Sequence, residues 1–414
     1  MDLELVTNDR SGSNVFNQLK WIMLAGLATL VVMHDPKPLA AIANLSWPII
    51  ALCLLALMST LWSVEPAITL RRAIRAALPV YSLIVGMAYV ERPRRALAII
   101  HFAFAALLLQ NLVGLAIPGA YNFYGHYTGT ATGKNLLGLW AAMGVLIGLG
   151  GAIWLTSPLL RRLNWAYLGG WLLLLVLSGS KTSMALTIAI PLLTLFLGAV
   201  STGLRLGVGT IALAVICTIL LVGGLTYSSL GMDLHDILNL FSEGITFTGR
   251  TQIWQFMLEN IQSRWLLGYG FGGFWGTGPD APNLSAKYYY IWLLSSAHNG
   301  YLDVLANLGF VGLISFFITL VHFSLSIDKI RFQESGIYHF LWMFILFILC
   351  HNAMESSIYH ATENTLWYLF LLSVLLVARI LVDRQTGASV NDGTPAFGSG
   401  GISSEPSPSW RSAG

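Results

Sequence analysis

An all-α, polytopic transmembrane helical bundle of about 10–12 spans is the fold class this sequence predicts. Of its 414 residues 56% are hydrophobic and only 10% are charged, and the mean hydropathy is +0.69. That much apolar surface exceeds what one or two water-soluble cores can hide, so the bilayer must be the solvent. The apolar residues also fall in runs. Crossing ~30 Å of hydrocarbon takes roughly 20 of them per helix, with every backbone polar group satisfied inside the segment.

The runs lie near 16–33, 40–62, 74–90, 96–117, 135–155, 165–178, 182–200, 206–226, 301–325, 337–355 and 364–383. The first is followed by His34-Asp35-Pro36-Lys37-Pro38 rather than by a small-residue cleavage site, and reads as a retained span. The chain then divides into an N-terminal tail (1–15), a first part of the bundle (16–226), a large loop (227–297), a last part of the bundle (298–383) and a tail (384–414). That last tail is rich in Gly, Ser and Pro and is expected to be disordered. Cys53, Cys217 and Cys350 sit singly in apolar runs, which fits neither a disulfide framework nor a thiolate metal site. A net charge of +3 is too small to suggest nucleic acid as a partner.

Basic residues follow four spans: Arg92, Arg94 and Arg95; Arg161 and Arg162; Lys329 and Arg331; Arg379 and Arg384. The positive-inside rule assigns these places to the cytoplasm. The loop at 227–297 then emerges on the opposite face, with the shorter segments near 118–134, 178–183 and 352–363, so that the four can meet over one site. The beginning of the chain conflicts with this scheme. The span count leaves the N-terminus outside, so an early crossing is miscounted or a segment is re-entrant, and Arg71, Arg72 and Arg75 also fall outside.

A loop of about 70 residues is too long for a passive connection in a compact bundle, which makes it the expected seat of function. Ile253, Trp254, Met257, Leu258 and Ile261 recur at helical spacing and predict an amphipathic helix over 250–261. The glycines of Gly268-Tyr269-Gly270-Phe271-Gly272-Gly273 allow a close backbone approach. No predicted strand precedes them and no ribose-binding acid follows in frame, which argues against a nucleotide site. Trp254, Trp265, Tyr269, Phe271, Phe274, Trp275, Tyr288, Tyr289, Tyr290 and Trp292 crowd the same loop. They read either as an interfacial aromatic belt or as a stacking surface for sugars.

His298 stands where the loop re-enters the membrane, beside Asn299 and Gly300, and is the natural general base at neutral pH; a cap or satisfied core histidine is the bland alternative. Arg250 is a permanently charged fork suited to phosphate oxygens, or else a snorkelling side chain. Lys134 and Lys181 border spans, where a cation is costly unless it faces water or a partner. With Arg250 they would form a basic cluster for a lipid diphosphate. His351, Glu355, His360 and Glu363 gather near the last outer turn, with His351 and Glu355 four apart on one helix face. Their spacing matches no trusted metal pattern and reads rather as a buried polar pair, and no nucleophile-elbow sequence marks a hydrolase.

The ordered set Thr248-Gly249-Arg250, Ile253-Trp254, Leu267-Gly268-Tyr269-Gly270, His298-Asn299-Gly300-Tyr301-Leu302 and Leu308-Gly309-Phe310-Val311-Gly312 resembles the shared domain of bacterial O-antigen ligases and Wzy-type polysaccharide polymerases. Trp62-Ser63-Val64-Glu65-Pro66, Gly133-Lys134-Asn135 and Ser180-Lys181-Thr182 extend the resemblance upstream. The Ser-Lys-Thr form is more similar to exopolysaccharide polymerases of the ExoQ type, since ligases commonly carry arginine at that lysine. The resemblance implies metal-independent glycosyl transfer without a cofactor, on the outer face of the bacterial inner membrane. The donor would be an undecaprenyl-diphosphate-linked oligosaccharide and the acceptor a glycan. Flippase and chain-length regulator proteins are expected as further partners. It also implies catalytic roles for His298 (base) and Arg250 (diphosphate), and substrate contacts from Lys134, Lys181, Asn299, Tyr269 and Trp254. Polymerisation of repeat units is the leading reading. A ligase acting on lipid A core or a protein acceptor is the alternative, and a non-enzymatic transporter is disfavoured because the polar residues collect at one face.

Overall fold

The computed structural model describes residues 15–90, 92–122, 125–230, 250–276, 278, 281–332, 334–359 and 364–385. Of the described residues 78% are helical and none lies in a strand. In chain order the helices are α1 (Val15–His34), α2 (Lys37–Leu45), α3 (Trp47–Met58), α4 (Pro66–Ala88), α5 (Pro93–Gly114), α6 (Lys134–Trp154), α7 (Pro158–Ser178), α8 (Lys181–Leu204), α9 (Val208–Leu230), α10 (Arg250–Ser263), the short α11 (Tyr289–Trp292), α12 (Gly300–Asp328), α13 (Ser335–Asn352) and α14 (Thr365–Gln385). Residues 1–14, 231–249, 360–363 and 386–414, which hold both expected tails and Thr248, Gly249, His360 and Glu363, lie outside the described residues.

Six of the described helices are long and apolar enough to cross a membrane, or up to seven when the bent pair α2–α3 is one span. That is fewer than the sequence suggested. α4 and α7 are long enough, but open with Arg71, Arg72 and Arg75 and with Arg161 and Arg162. The run at 40–62, expected as a single span, is broken by 83° between α2 and α3. Ser46 leaves the helical region there, with φ −105° and ψ 14°. Pro48 follows, whose nitrogen has no hydrogen to continue the ladder. The Leu45 carbonyl freed at the break is met by His322 Nε2 at 2.9 Å. A broken helix is tolerated at membrane depth when a neighbour satisfies the backbone in this way.

Tertiary bonds sort the helix ends into two groups. At one end Arg94 pairs with Glu334 at 3.4 Å, Arg384 donates to the Lys329 carbonyl at 3.0 Å, Arg379 to that of Ala88 at 2.7 Å, and Arg331 to that of Ser201 at 2.8 Å. The Tyr89 hydroxyl donates to the Asp35 carbonyl at this same basic end. The end of α1 therefore lies beside the end of α4, and the chain alternates between the two ends in every later helix outside the large loop, α2 and α3 counting as one. The early count that put the start of α1 on the side of the large loop describes this arrangement. Arg72 faces the loop as well, donating to the carbonyls of Gly272 and, at 3.3 Å, Trp275.

The loop folds as a cap with a small core of its own. Ile253, Phe256, Met257 and Ile261 of α10 meet Tyr269, Phe274, Trp275, Ile291 and Ala306. Its attachment to the bundle explains the paired glycine motifs. Gly309 breaks α12 with φ 63° and ψ −161°, which strips the surrounding turn of helical partners. The loop backbone takes their place: Tyr269 N and Gly270 N donate to the Ala306 and Asn307 carbonyls at 2.9 and 2.8 Å, and Phe310 N donates to that of Trp265 at 2.8 Å. A Cβ at Gly309 would stand 2.3 Å from the Leu266 backbone, and one at Gly268 2.6 Å from that of Asn307. Only glycine permits that approach. The early Trp62-Ser63-Val64 segment seals the junction, with Trp62 Nε1 donating to the Leu267 carbonyl at 2.8 Å and Val64 N to that of Tyr269 at 3.2 Å.

Candidate active site

Glu355 is the hub of a polar cluster under this cap. Its Oε1 accepts from Arg250 Nη2 at 2.8 Å and from Asn135 Nδ2 at 3.1 Å, while Oε2 meets His298 Nδ1 at 2.9 Å. The cluster joins the first residue of α10, the second of α6, the residue two before α12 and the turn after α13. The side chains of Glu355 and Arg250 are 16% and 18% exposed and that of His298 35%, so the pair is sheltered while the imidazole reaches solvent. Burial pushes the Glu355 carboxyl up. The hydrogen bond with His298 and the charges of His298 and Arg250 outweigh it and hold the group below its ordinary value.

The geometry assigns the proton on the imidazole. A carboxylate can only accept, so His298 Nδ1 is the donor, and in the neutral ring Nε2 then carries the free lone pair of a base. His298 is held with φ 51°, in the left-handed region that non-glycine residues seldom occupy. A second carboxylate fixes it there. Asp303, 3% exposed, accepts from Ala297 N at 3.1 Å, from Trp275 Nε1 at 2.7 Å and from the Ser356 hydroxyl. It thus grips the neighbour of His298 and the neighbour of Glu355 at once. Asn352 folds the turn between α13 and Glu355, its Oδ1 accepting from Ser357 N and Ile358 N at 3.0 Å each.

Several residues singled out in the sequence take other places. Asn299 caps α12, its side chain accepting from Tyr301 N and Leu302 N at 3.1 and 3.2 Å, so its amide oxygen is committed to the helix end rather than to a ligand. Tyr269 lies in the cap core, 8% exposed, with its hydroxyl bonded to Ser263 at 2.9 Å; it packs rather than presenting a stacking face. Phe271, Phe274 and Trp275 are buried likewise, whereas Trp265, Tyr288, Tyr289 and Tyr290 are exposed. Trp254 donates from Nε1 to the Ala297 carbonyl at 3.1 Å and so braces the residue before His298. Lys134 and Lys181 open α6 and α8, half-buried and exposed in turn. The two helix starts adjoin, since a Cβ on Gly138 would stand 2.3 Å from that of Ser180. His351 and Glu355 stay one turn apart, with Glu355 N donating to the His351 carbonyl at 2.9 Å, but their side chains do not hydrogen-bond each other: His351 Nδ1 meets the Ser357 hydroxyl at 3.0 Å.

Sequence reasoning passed over Glu355 as a partner of His298, Asn135 as its second donor, and Asp303. An acid beside the end of an apolar span is the signal that was available for both carboxylates, because a charge there persists only with a partner.

A helical multi-pass membrane protein with a capped Arg–Glu–His cluster at one end of its bundle is the class defined by this fold and site. Within it, residues 166–317 match the family model Wzy_C, described as O-antigen ligase. The chain is also 28% identical over 320 residues to the exopolysaccharide production protein ExoQ of Rhizobium meliloti (strain 1021), covering 74% of this chain and 71% of the relative. The resemblance read from the sequence motifs is borne out by both matches. The matched stretch contains Arg250, His298 and Asp303, while Asn135 and Glu355 lie outside it.

Proposed function

We propose that the protein is a bacterial inner-membrane glycosyltransferase that joins undecaprenyl-diphosphate-linked oligosaccharide repeat units into a polysaccharide, with its site on the periplasmic face. The observation that carries this reading is the His298–Glu355 hydrogen bond at 2.9 Å. It supplies a base of defined tautomer beside a guanidinium, which is the equipment that transfer from a lipid diphosphate needs. The hydroxyl oxygen of the acceptor sugar attacks the anomeric carbon and its proton passes to His298 Nε2. The bond from that carbon to the diphosphate oxygen breaks, and the lipid diphosphate departs with the electron pair. Its added negative charge is met by fixed cations, Arg250 first, with Lys134 and Lys181 at the adjoining helix starts. A base opposite the departing oxygen gives inversion, by the logic that holds for inverting glycosidases.

Glu355 serves two groups in this scheme. It orients the imidazole and stabilises the imidazolium that forms, and it positions the guanidinium, of whose other donors one meets Met354 Sδ at 3.7 Å and the rest are left for phosphate oxygens. The similarity to an exopolysaccharide production protein favours polymerisation. The family description favours the second reading, a ligase that moves a finished glycan to lipid A core or a protein. Reconstitution with one purified lipid-linked repeat and no other acceptor separates them. A ladder of multiples is the expected product. A donor consumed only after lipid A core or a protein acceptor is added would make it a ligase, and a folded protein inert with every acceptor would refute transfer altogether.

A further inference from the structure

The cap carries an apolar ledge that its own core does not use. Trp265, Leu266 and Leu267 follow α10 as three consecutive exposed side chains, whereas Gly268 and Tyr269 beyond them are buried. Leu61 ends the turn that prolongs α3 and is 83% exposed. It lies beside the ledge, since the next residue, Trp62, donates to the Leu267 carbonyl at 2.8 Å. The Trp265 ring meets Phe310 edge-on, with centroids 6.1 Å apart. A contiguous exposed patch of large apolar side chains marks an interaction surface.

The depth of the ledge identifies its partner. Tyr301, near the start of α12, packs on Phe317 and Phe316 with ring centroids 6.4 and 6.3 Å apart, although a straight helix would set Tyr301 and Phe317 ~24 Å apart. The first part of α12 therefore folds back at Gly309, and the part from Phe310 to Asp328 is what crosses the bilayer. Its other end is fixed at the basic face, where Asp328 accepts from Gly209 N and Thr210 N at 3.2 and 3.0 Å and precedes Lys329 and Arg331. Phe310 then stands ~27 Å above Asp328 along the helix. α3 supplies a second measure. The Trp47 ring packs edge-on against His322, with centroids 6.0 Å apart. His322 is ~9 Å above Asp328, and Leu61 lies ~21 Å beyond Trp47 along α3 and its final turn. Both measures put the ledge ~27–30 Å above the basic face, where the ~30 Å hydrocarbon layer ends.

The ledge is also continuous with surface that lipid covers. Phe310, Ile314, Phe317 and Ile318 are exposed at helical spacing and form one outward stripe on α12, and Leu54, Met58 and Leu61 form another on α3 and its final turn. Trp265 tops the first stripe. Tryptophan beside leucine is the composition of the boundary between hydrocarbon and headgroups. We propose that Leu61 and Trp265-Leu266-Leu267 seat the cap in the outermost hydrocarbon of the leaflet on its own side, so that the bilayer is the partner of this surface. The glycine joint at Gly309 then closes against lipid rather than water. The seating is separate from the Glu355 cluster and independent of the reaction proposed there.

The test is depth-resolved quenching on the full chain in phosphatidylcholine liposomes, with Cys53, Cys217 and Cys350 replaced by alanine. An environment-sensitive fluorophore is attached at Leu266→Cys, at Leu61→Cys or, as a reference, at Ile318→Cys, ~12 Å deeper than Phe310 on α12. Lipid carrying a nitroxide high on its acyl chain should quench the first two labels about twofold more than lipid carrying it low on the chain, and the order should reverse at the reference position. Aqueous iodide should reach none of the three. The Leu61 side chain is almost fully exposed, so its variant decides the question even where a label on Leu266 disturbs the joint, with thermal melting used to show that each variant is folded. Strong iodide quenching without nitroxide quenching at either ledge position of a folded variant would overturn the proposal and give the surface to a water-borne ligand such as a glycan. So would nitroxide quenching that fades as the protein is concentrated in the membrane, which would give it to a second copy of the chain.

Discussion

Glu355→Gln probes the cluster with almost no change of shape. Oε1 of the native carboxylate receives two donors, Arg250 Nη2 at 2.8 Å and Asn135 Nδ2 at 3.1 Å, so the glutamine must put its amide oxygen there. Its NH2 group then faces His298 Nδ1 across the 2.9 Å contact. An amide N–H donates, so Nδ1 must accept and the ring proton moves to Nε2, the nitrogen that has to be bare to act as base. General-base assistance is worth about 10²–10⁴ in rate, or ~3–5 kcal/mol of barrier. The expected turnover is therefore about 10²- to 10⁴-fold below wild type, read as the initial rate of donor consumption in proteoliposomes. Glu355→Ala should be less damaging to proton transfer than Glu355→Gln, because it leaves the imidazole free to choose its tautomer. Turnover of Glu355→Gln within about threefold of wild type, in protein of unchanged melting temperature, would remove the dyad from the mechanism.

Four other perturbations address the rest of the site and its support. His298→Ala should abolish transfer while the protein stays inserted and folded, and Arg250→Lys should lose most activity because a point charge cannot replace a fork; wild-type rates in either would make that residue structural. Gly309→Ala should lower stability by at least ~1–3 kcal/mol, since its φ of 63° and ψ of −161° suit only glycine, and should expose the cap to limited proteolysis before the bundle melts. The depressed Glu355 carboxyl gives a signed pH dependence. Its stabilisation is complete above the ordinary value of 4.5 and is lost as the pH falls through the lower folded value, so wild type should lose more melting temperature than Glu355→Gln between pH 7 and pH 3.

How much of this was legible in the sequence differs by kind of signal. The helical class follows from apolar runs, which the bilayer enforces one segment at a time. The break at Ser46 was not read, because Trp47-Pro48 lies inside an unbroken apolar run and hydropathy does not register a backbone bend. The amphipathic helix at 250–261 was read from its spacing, and the structure runs it to Ser263. Polar residues such as Arg250 and His298 stood out against an apolar chain. The partners they bond did not. Asn135 was quoted beside Lys134, yet it is the neutral amide that bonds Glu355, and the Glu355 carboxylate bonds Arg250, Asn135 and His298 rather than His351.

The glycine motifs carry the more general lesson about how sequence becomes site. Leu267-Gly268-Tyr269-Gly270 and Leu308-Gly309-Phe310-Val311-Gly312 were read as a run able to approach something and a helix of unremarked course. They are two halves of one joint, in which the loop supplies the backbone partners that the broken helix has lost. The joint has a chemical consequence. Trp275 leaves the same glycine-rich turn and bonds Asp303, one turn into α12 and on the near side of the break. Asp303 in turn fixes Ala297 and Ser356, the neighbours of the His298–Glu355 pair. Backbone complementarity at Gly309 is thereby transmitted through one buried carboxylate to the orientation of the His298 ring. Two glycine motifs distant from each other in sequence thus belong to the same structural unit as His298.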